Sequence, residues 1–423
     1  MTAAEPYRLG SAALPVYLPS LLFAIGEGAI IPVIPVDAAR LGGSLALAGF
    51  ISALLMVGTL IGDLPSGWIV SRVGERNAMI GSALVALVGL ALCFLAPVPA
   101  VLAAGVLLLG IATASFALAR QAFMTSFVPL SHRARALSLL GGMFRGGYFV
   151  GPFLSAGLIA LTGSTRSTFL IAAGACIVVA VVLLVLPDPS EVLARRRQEA
   201  VAASAAAPQV DRVGGAVAEP ARAGLLRTIA QHGHVLARMG TAAALIGGLR
   251  SSRQVILPLV GVSLGMPESS IALVIGVAGA VDLALFFTSG QIMDRFGRLW
   301  SAMPSMIGLG IGHLLLAVTH GLPGAVAWFV ATAVLMSVAN GLGSGILMTF
   351  GADLAPRHDP APFLGAYRFT GDAGNAATPL VVSAVTAVAS LPAAAAVIGV
   401  LGLAGAGMLA RWVPRFIPRP ARA

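Results

Sequence analysis

The chain reads as a succession of long apolar runs separated by short polar segments. A helix needs ~20 mostly apolar residues to cross a bilayer. Runs that meet this need lie at 11–34, 46–70, 77–96, 99–119, 136–161 and 168–186, then at 240–262, 270–292, 300–318, 324–350, 364–389 and 392–413. We number them spans 1 to 12. Barrel strands would need only ~9–11 residues of alternating polarity, so run length predicts helices. The expected fold class is all-α and membrane-embedded, with twelve transmembrane helices. The first run is too long for the apolar core of a cleaved signal and leads into further spans, so it reads as an anchor.

Composition supports lipid as the solvent. Of 423 residues, 58% are hydrophobic and 10% charged, against ~25% charged in ordinary soluble domains. The net charge is +10, and all 26 basic residues are arginine. They do not form a stripe interleaved with aromatics, so nucleic acid is not an expected partner. Without lysine there is no lysine-bearing phosphate loop, so ATP-driven transport within the chain is not expected. Cys93 and Cys176 lie inside apolar runs, outside any metal-ligand spacing, and read as small core residues. No metal, cofactor or catalytic constellation is expected, and the chain is not read as an enzyme.

The arginines set an orientation. With the N-terminus inside, nineteen fall in cytoplasmic segments: Arg8, Arg72, Arg76, Arg133, Arg135, Arg195, Arg196, Arg197, Arg212, Arg222, Arg227, Arg238, Arg295, Arg298, Arg357, Arg411, Arg415, Arg419 and Arg422. Arg40 and Arg166 fall outside. This asymmetry follows the positive-inside rule and predicts cytoplasmic termini in the plasma membrane. Arg120, at the end of span 4, is expected to snorkel to the cytoplasm.

The two halves repeat. Pro35 and Pro258, Gly67 and Gly290, Arg72 and Arg295, and Gly74 and Gly297 are 223 residues apart; Pro129 and Pro356, Gly147 and Gly374, and Pro152 and Pro379 are 227 apart. Collinear matches of this kind predict two related six-helix bundles, 1–187 and 239–423, joined by an arginine- and alanine-rich cytoplasmic linker at 188–238. Internal repeats place a substrate path at the interface between halves.

A family is then recognisable. Gly290-Gln-Ile-Met-Asp294-Arg295-Phe-Gly297-Arg298, between spans 8 and 9, resembles the signature loop of the major facilitator superfamily. The first-half copy, Gly67-Trp-Ile-Val-Ser71-Arg72-Val-Gly74-Glu75-Arg76, has serine where that family usually has aspartate. In the family this loop latches the cytoplasmic side. Gly147-Tyr-Phe-Val-Gly151-Pro152 is similar to the span-5 motif of its drug:proton antiporters; Ser155 and Ala156 replace the two glycines that usually follow. The resemblance implies two pseudo-symmetric six-helix bundles, a cavity lined by spans 1, 4, 7 and 10, and 2, 5, 8 and 11 flanking it.

Charges inside the spans are the candidate functional residues, because each costs ~2.5–3.5 kcal/mol at a helix centre on insertion scales. Glu27, Asp63 and Asp372 are proton-coupling candidates, Glu27 first. Arg145, Arg250, Arg253, Arg368 and Asp282 are candidates for substrate contact or charge pairing. Glu27 and Arg250 are repeat equivalents, as are Arg145 and Asp372, so opposite charges sit on symmetric helices. Arg250 and Arg253 share a helix face and are expected either to pair with Glu27 or Asp372 or to hold an anion. His313 and Asn340 read as structural. The expected activity is secondary transport by a monomer, with a small-molecule substrate, protons and the lipid bilayer as partners: export of a small organic compound by proton antiport. An organic-anion uptake symporter, an uncoupled facilitator and a non-transporting sensor or scaffold are the alternatives.

Overall fold

The structure is a computed structural model that describes residues 17–127, 130–185, 231–356 and 360–417. Span 1 is Leu18–Ile30 followed, after a turn, by Ile34–Arg40. Spans 2 to 6 are Leu45–Val73, Glu75–Leu95, Pro99–Phe127, Leu130–Thr162 and Ser167–Val185. Spans 7 to 9 are Thr241–Ser263, Glu268–Phe296 and Leu299–Thr319. Span 10 is Ala325–Leu342 plus Ile346–Leu354, and spans 11 and 12 are Pro360–Val388 and Leu391–Phe416. The expected linker lies outside the described residues except for 231–238. Those are helical and run through a π turn, Leu236–Gly240, into span 7, so this helix starts earlier than the apolar run at 240–262 suggests.

Ten segments among the described residues are long and apolar enough to cross a membrane. Spans 7 and 11 complete the twelve. They fall short in apolarity because they carry Arg250, Arg253, Arg368 and Asp372, and each packs against the other.

The packing repeats with the sequence. Span 1 lies on spans 5 and 6, span 2 on span 4, and span 3 on spans 4 and 6; span 7 lies on 11 and 12, span 8 on 10, and span 9 on 10 and 12. Adding six to each number of the first set gives the second. The halves meet through span 2 on span 11 and span 5 on span 8, a pair of contacts that the same operation interchanges. Large apolar side chains such as Leu95, Leu161, Val185 and Val388 point outward, where lipid replaces water as their neighbour.

Two ends can be distinguished. At one, Gly74 and Gly297 adopt positive φ (81° and 95°) and stop spans 2 and 8, each as a glycine just past a helix end. At the other, the halves are in direct contact. Arg40 forms an ion pair with Glu268 at 2.6 Å, and Ser383 Oγ donates to the Ala46 carbonyl at 2.7 Å. Behind Arg40, buried Asp37 accepts a hydrogen bond from the Thr165 hydroxyl, which in turn accepts from Arg40 Nη1 at 3.2 Å.

The crossing of spans 1 and 5 depends on absent side chains. A Cβ on Gly147 would lie 2.5 Å from Ala24 Cβ and 2.7 Å from its carbonyl carbon, and one on Gly151 2.5 Å from the Ile25 carbonyl oxygen. Gly374, the repeat partner of Gly147, meets the Ala244 carbonyl in the same way, at 2.0 Å. At the next contact the glycine has changed sides. Ile25 faces Gly151 in the first half, whereas Gly248 faces Thr378 in the second, with 2.0 Å between a Cβ there and the threonine hydroxyl.

Span 10 departs from the expected continuous helix over 324–350. It breaks at Gly343–Gly345, with Gly345 at φ 78°. Non-helical backbone at membrane depth is tolerated where protein satisfies its polar groups. Here Ser289 Oγ donates to the carbonyls of Leu342 and Ser344, each at 2.7 Å, Ser301 Oγ donates to Leu342 at 2.6 Å, and Arg250 donates to the Gly343 carbonyl. Span 4, its counterpart, is unbroken.

Overpacking a close helix crossing costs ~1–3 kcal/mol. Gly147→Val and Gly374→Val should therefore each lower the melting temperature of the detergent-solubilised protein. Gly157→Val, at an exposed position with no atom within 4 Å of an added Cβ, should leave it unchanged. Equal melting temperatures for all three variants would show that the crossings are not tight.

Candidate functional site

A cavity of about 190 Å³ lies between the halves. Gly28 and Ile31 of span 1 and Arg145, Tyr148, Phe149 and Pro152 of span 5 form one side. Opposite them stand Arg253, Gln254, Leu257 and Pro258 of span 7, Asp282 of span 8 and Asn340 of span 10. Prolines inside spans 5 and 7 occupy the wall, where each removes a backbone donor from its helix.

The cavity charges are arranged asymmetrically. Arg253 Nη2 bonds Asp282 Oδ2 at 2.5 Å, and its Nη1 donates to Ser337 Oγ at 2.7 Å. Asn340 Nδ2 donates to the same Asp282 oxygen at 3.1 Å. Arg253 thus pairs with Asp282, rather than with Glu27 or Asp372, and Asn340 belongs to the site instead of being a lone packing residue. Arg145 reaches across from the first half: its Nη1 donates to Ser344 Oγ at 2.9 Å, and its guanidinium lies 4.3 Å from the centre of the Phe286 ring. Arg250 sits behind Arg253 and holds the Gly343 carbonyl at the span-10 break.

Glu27 is close to the cavity but does not line it. It is 8% exposed and turned into the first bundle beside Phe23, Leu90 and Cys176. The Tyr148 hydroxyl donates to it, while its Oε2 has no partner. Tyr148 lines the cavity, so it connects the carboxyl to the path. Arg120 does not snorkel. Among the described residues its Nε and Nη1 are buried without partners, its guanidinium stacks 3.5 Å above the Phe144 ring, and it lies within electrostatic reach of Glu27.

A second polar layer lies nearer the Gly74 end. Arg368 Nε bonds Asp372 Oδ2 at 3.4 Å and its Nη1 donates to Gln121 Oε1 of span 4 at 3.2 Å. Asn375 donates to Asp372 at 3.3 Å, and Asp63 of span 2 lies within electrostatic reach of Asp372 and Arg368. This layer joins the halves through Arg368.

The signature loops bond within their own halves. Arg298 Nε pairs with Asp353 at 2.9 Å and its Nη1 reaches Asp294 at 3.4 Å. The hydrogen bond to Asp353 holds the Arg298 guanidinium above its usual range. Arg295 lies over Phe296 and Arg72 over Trp68. Arg76 Nε caps the end of span 6 at the Leu183 carbonyl, 2.7 Å away. Gly67 and Gly290 make no close approach. His313 is buried, bonded to Ser252 and to the Leu309 carbonyl, each at 2.8 Å.

Sequence reasoning missed Tyr148, Ser344, Asp353 and Asp37. Tyr148 stands inside the quoted span-5 segment, next to Gly147, and was legible as the one hydroxyl there. Nothing in the spacing distinguished Ser344 or Asp353.

Removing one partner of a largely buried ion pair costs ~3–5 kcal/mol, whereas replacing both with apolar residues is often neutral. Asp282→Asn should lower the melting temperature sharply, and adding Arg253→Met should recover most of the loss. A double variant as unstable as the single one would refute the pairing as the source of the effect.

Comparison with known proteins agrees with this architecture. The family model described as Major Facilitator Superfamily matches residues 16–281 and 239–423. Uncharacterized MFS-type transporters of Mycobacterium tuberculosis, from strains CDC 1551 / Oshkosh and ATCC 25618 / H37Rv, are each 28% identical over 134 residues, covering 32% of this chain and 19% of theirs. The chain therefore aligns with about a fifth of the length of these relatives. Among solved structures, a POT family transporter in complex with 5-aminolevulinic acid aligns with a TM-score of 0.74 at 11% identity, over 96% of both chains. A D-xylose-proton symporter aligns with a TM-score of 0.71 at 17% identity, over 97% of this chain and 98% of that one. With a family match across nearly the whole chain and the same fold in the solved structures, this multi-pass membrane protein belongs to the major facilitator superfamily.

Proposed function

We propose that the chain couples proton movement to export of a small organic compound by alternating access, with Glu27 as the proton-carrying group. The observation that carries this reading is the Glu27–Tyr148 pair. An intramembrane carboxyl is retained at a cost and marks function by default. Among the described residues this one has no ion pair and one bare oxygen, and the hydroxyl that bonds it belongs to a cavity-lining side chain. A carboxyl placed so can take a proton without first breaking a salt bridge. Asp63 and Asp372, beside Arg368 at the second layer, would pass protons toward the Gly74 end.

The close crossing of spans 1 and 5 at Gly147 and Gly151 supports the antiport assignment, since it is the geometry that the span-5 resemblance requires. The Gly74 end is taken as cytoplasmic. It carries Arg72 over Trp68, and Arg238, Arg411 and Arg415 around Trp412, a cationic aromatic belt of the kind found at a membrane face. In that orientation the contacts at the Arg40–Glu268 end close the outer side. The signature loops would then act in the opposite state, exchanging their bonds within each half for bonds between halves. The chain works as a monomer in the plasma membrane.

A second reading, uptake by symport, is favoured by the excess of arginine at the cavity. The test uses inverted membrane vesicles, an imposed proton gradient and a pH-sensitive dye. Compounds of cationic, neutral and anionic type are added to wild type and to Glu27→Gln. At least one compound should dissipate the gradient in wild type, with the response reduced more than tenfold in the variant. Substrate flux that persists unchanged in Glu27→Gln would remove Glu27 from coupling. Acid-driven accumulation into right-side-out vesicles would replace antiport by symport.

A further inference from the structure

The cavity layer holds more positive than negative charge. Arg250 lies within electrostatic reach of both Arg145 and Arg253, and all three lie within reach of one carboxylate, Asp282. Asp282 is already engaged by Arg253 at 2.5 Å and by Asn340. Arg250 is engaged by a carbonyl, and its buried Nε has no partner. Among the described residues Arg145 lines the cavity with no carboxylate bonded to it, since Asp282 is taken by Arg253. Its hydrogen-bond partner among the described residues is the Ser344 hydroxyl, and its flat face rests on Phe286. A guanidinium offers five N–H donors, and Nη1 is the nitrogen occupied by Ser344, so Nε and Nη2 remain for the cavity that Arg145 lines.

Neutral partners do not offset a cation in this setting. Removal from water is repaid only by an opposite charge with good geometry and full hydrogen bonding. A planar carboxylate matches a guanidinium edge bidentately. The cavity wall carries one carboxylate, Asp282, already bonded to Arg253 and Asn340, beside neutral polar groups, Tyr148 and Gln254, and an apolar surface from Ile31, Phe149, Leu257 and Ile275. A carboxylate on a small apolar body meets all three features.

We propose that the cargo is a small organic acid whose carboxylate binds the free edge of Arg145 in the central cavity. This deepens the transport reading above and rests on it for the site's purpose, though binding itself requires no proton coupling. Arg145 comes from the first half and Ser344 lies in the span-10 break of the second. A cargo carboxylate that competes with Ser344 for the guanidinium therefore loosens a bond between the halves at the site where the cargo sits.

The test is equilibrium binding to the purified chain in lipid nanodiscs, by calorimetry, with no gradient. The probes are benzoate, phenylacetate and hexanoate, each beside its uncharged amide. Wild type should bind at least one acid roughly tenfold or more tighter than its amide, the ratio expected of a charge-assisted hydrogen bond. Arg145→Gln should abolish that preference, bringing each acid down to the affinity of its own amide, and Arg145→Lys should keep part of it. The proposal is overturned if no acid outbinds its amide in wild type, or if the preference survives Arg145→Gln. Should Arg145→Gln misfold, Ser344→Ala provides the second reading. It frees Nη1 and should tighten binding of the same acid, so an unchanged or weaker affinity counts against the proposal. Acid binding that persists alongside a negative vesicle experiment would overturn the proton-coupling scheme and leave this site standing.

Discussion

A guanidinium or carboxylate at mid-membrane must find its partners within the protein, because lipid offers none. Much of this structure follows from that constraint. Spans 7 and 11, the two helices with too little apolarity to qualify as membrane-crossing by composition, are drawn together at the centre. There Arg253 meets Asp282, and Arg368 meets Asp372 and Gln121. Elsewhere apolar side chains face outward. The charges on these two spans find partners on spans 8 and 4 as well as on their own helix, so each polar layer ties several helices together.

Close packing is the second condition. Two helices approach closely only where Cβ atoms are missing, and the repeat keeps that condition at Gly147 and Gly374. The neighbouring contact shows what the repeat preserves. Ile25 against Gly151 and Gly248 against Thr378 place the small residue on opposite helices. What is retained is a glycine at the contact, because close approach needs one missing Cβ and is indifferent to which helix lacks it.

Function resides in what the repeat does not share. Glu27 and Arg250 are equivalent in sequence, yet one points into its own bundle under Tyr148 while the other ties down the span-10 break. Span 4 is whole and span 10 is broken at Gly343–Gly345. The break exposes carbonyls that serine hydroxyls and Arg250 must satisfy, and it presents Ser344 to Arg145 across the interface. An asymmetric cavity between symmetric bundles can hold an asymmetric molecule.

The sequence by itself determined the number of spans, the two related halves and the family, because run length, collinear glycine and proline matches and the Gly290–Arg298 segment are all properties of position along the chain. It also located nearly every charge that the membrane must accommodate. It did not determine the partners. Arg253 was open to Glu27, Asp372 or an anion, and the choice of Asp282 depends on side-chain directions that only the crossing of spans 7 and 8 fixes. The turn of Glu27 away from the cavity, the burial of Arg120 and the break in span 10 were likewise decided by tertiary structure. A charge's energy is set by what surrounds it in three dimensions, and two residues equivalent in a repeat can have quite different surroundings once their neighbours differ.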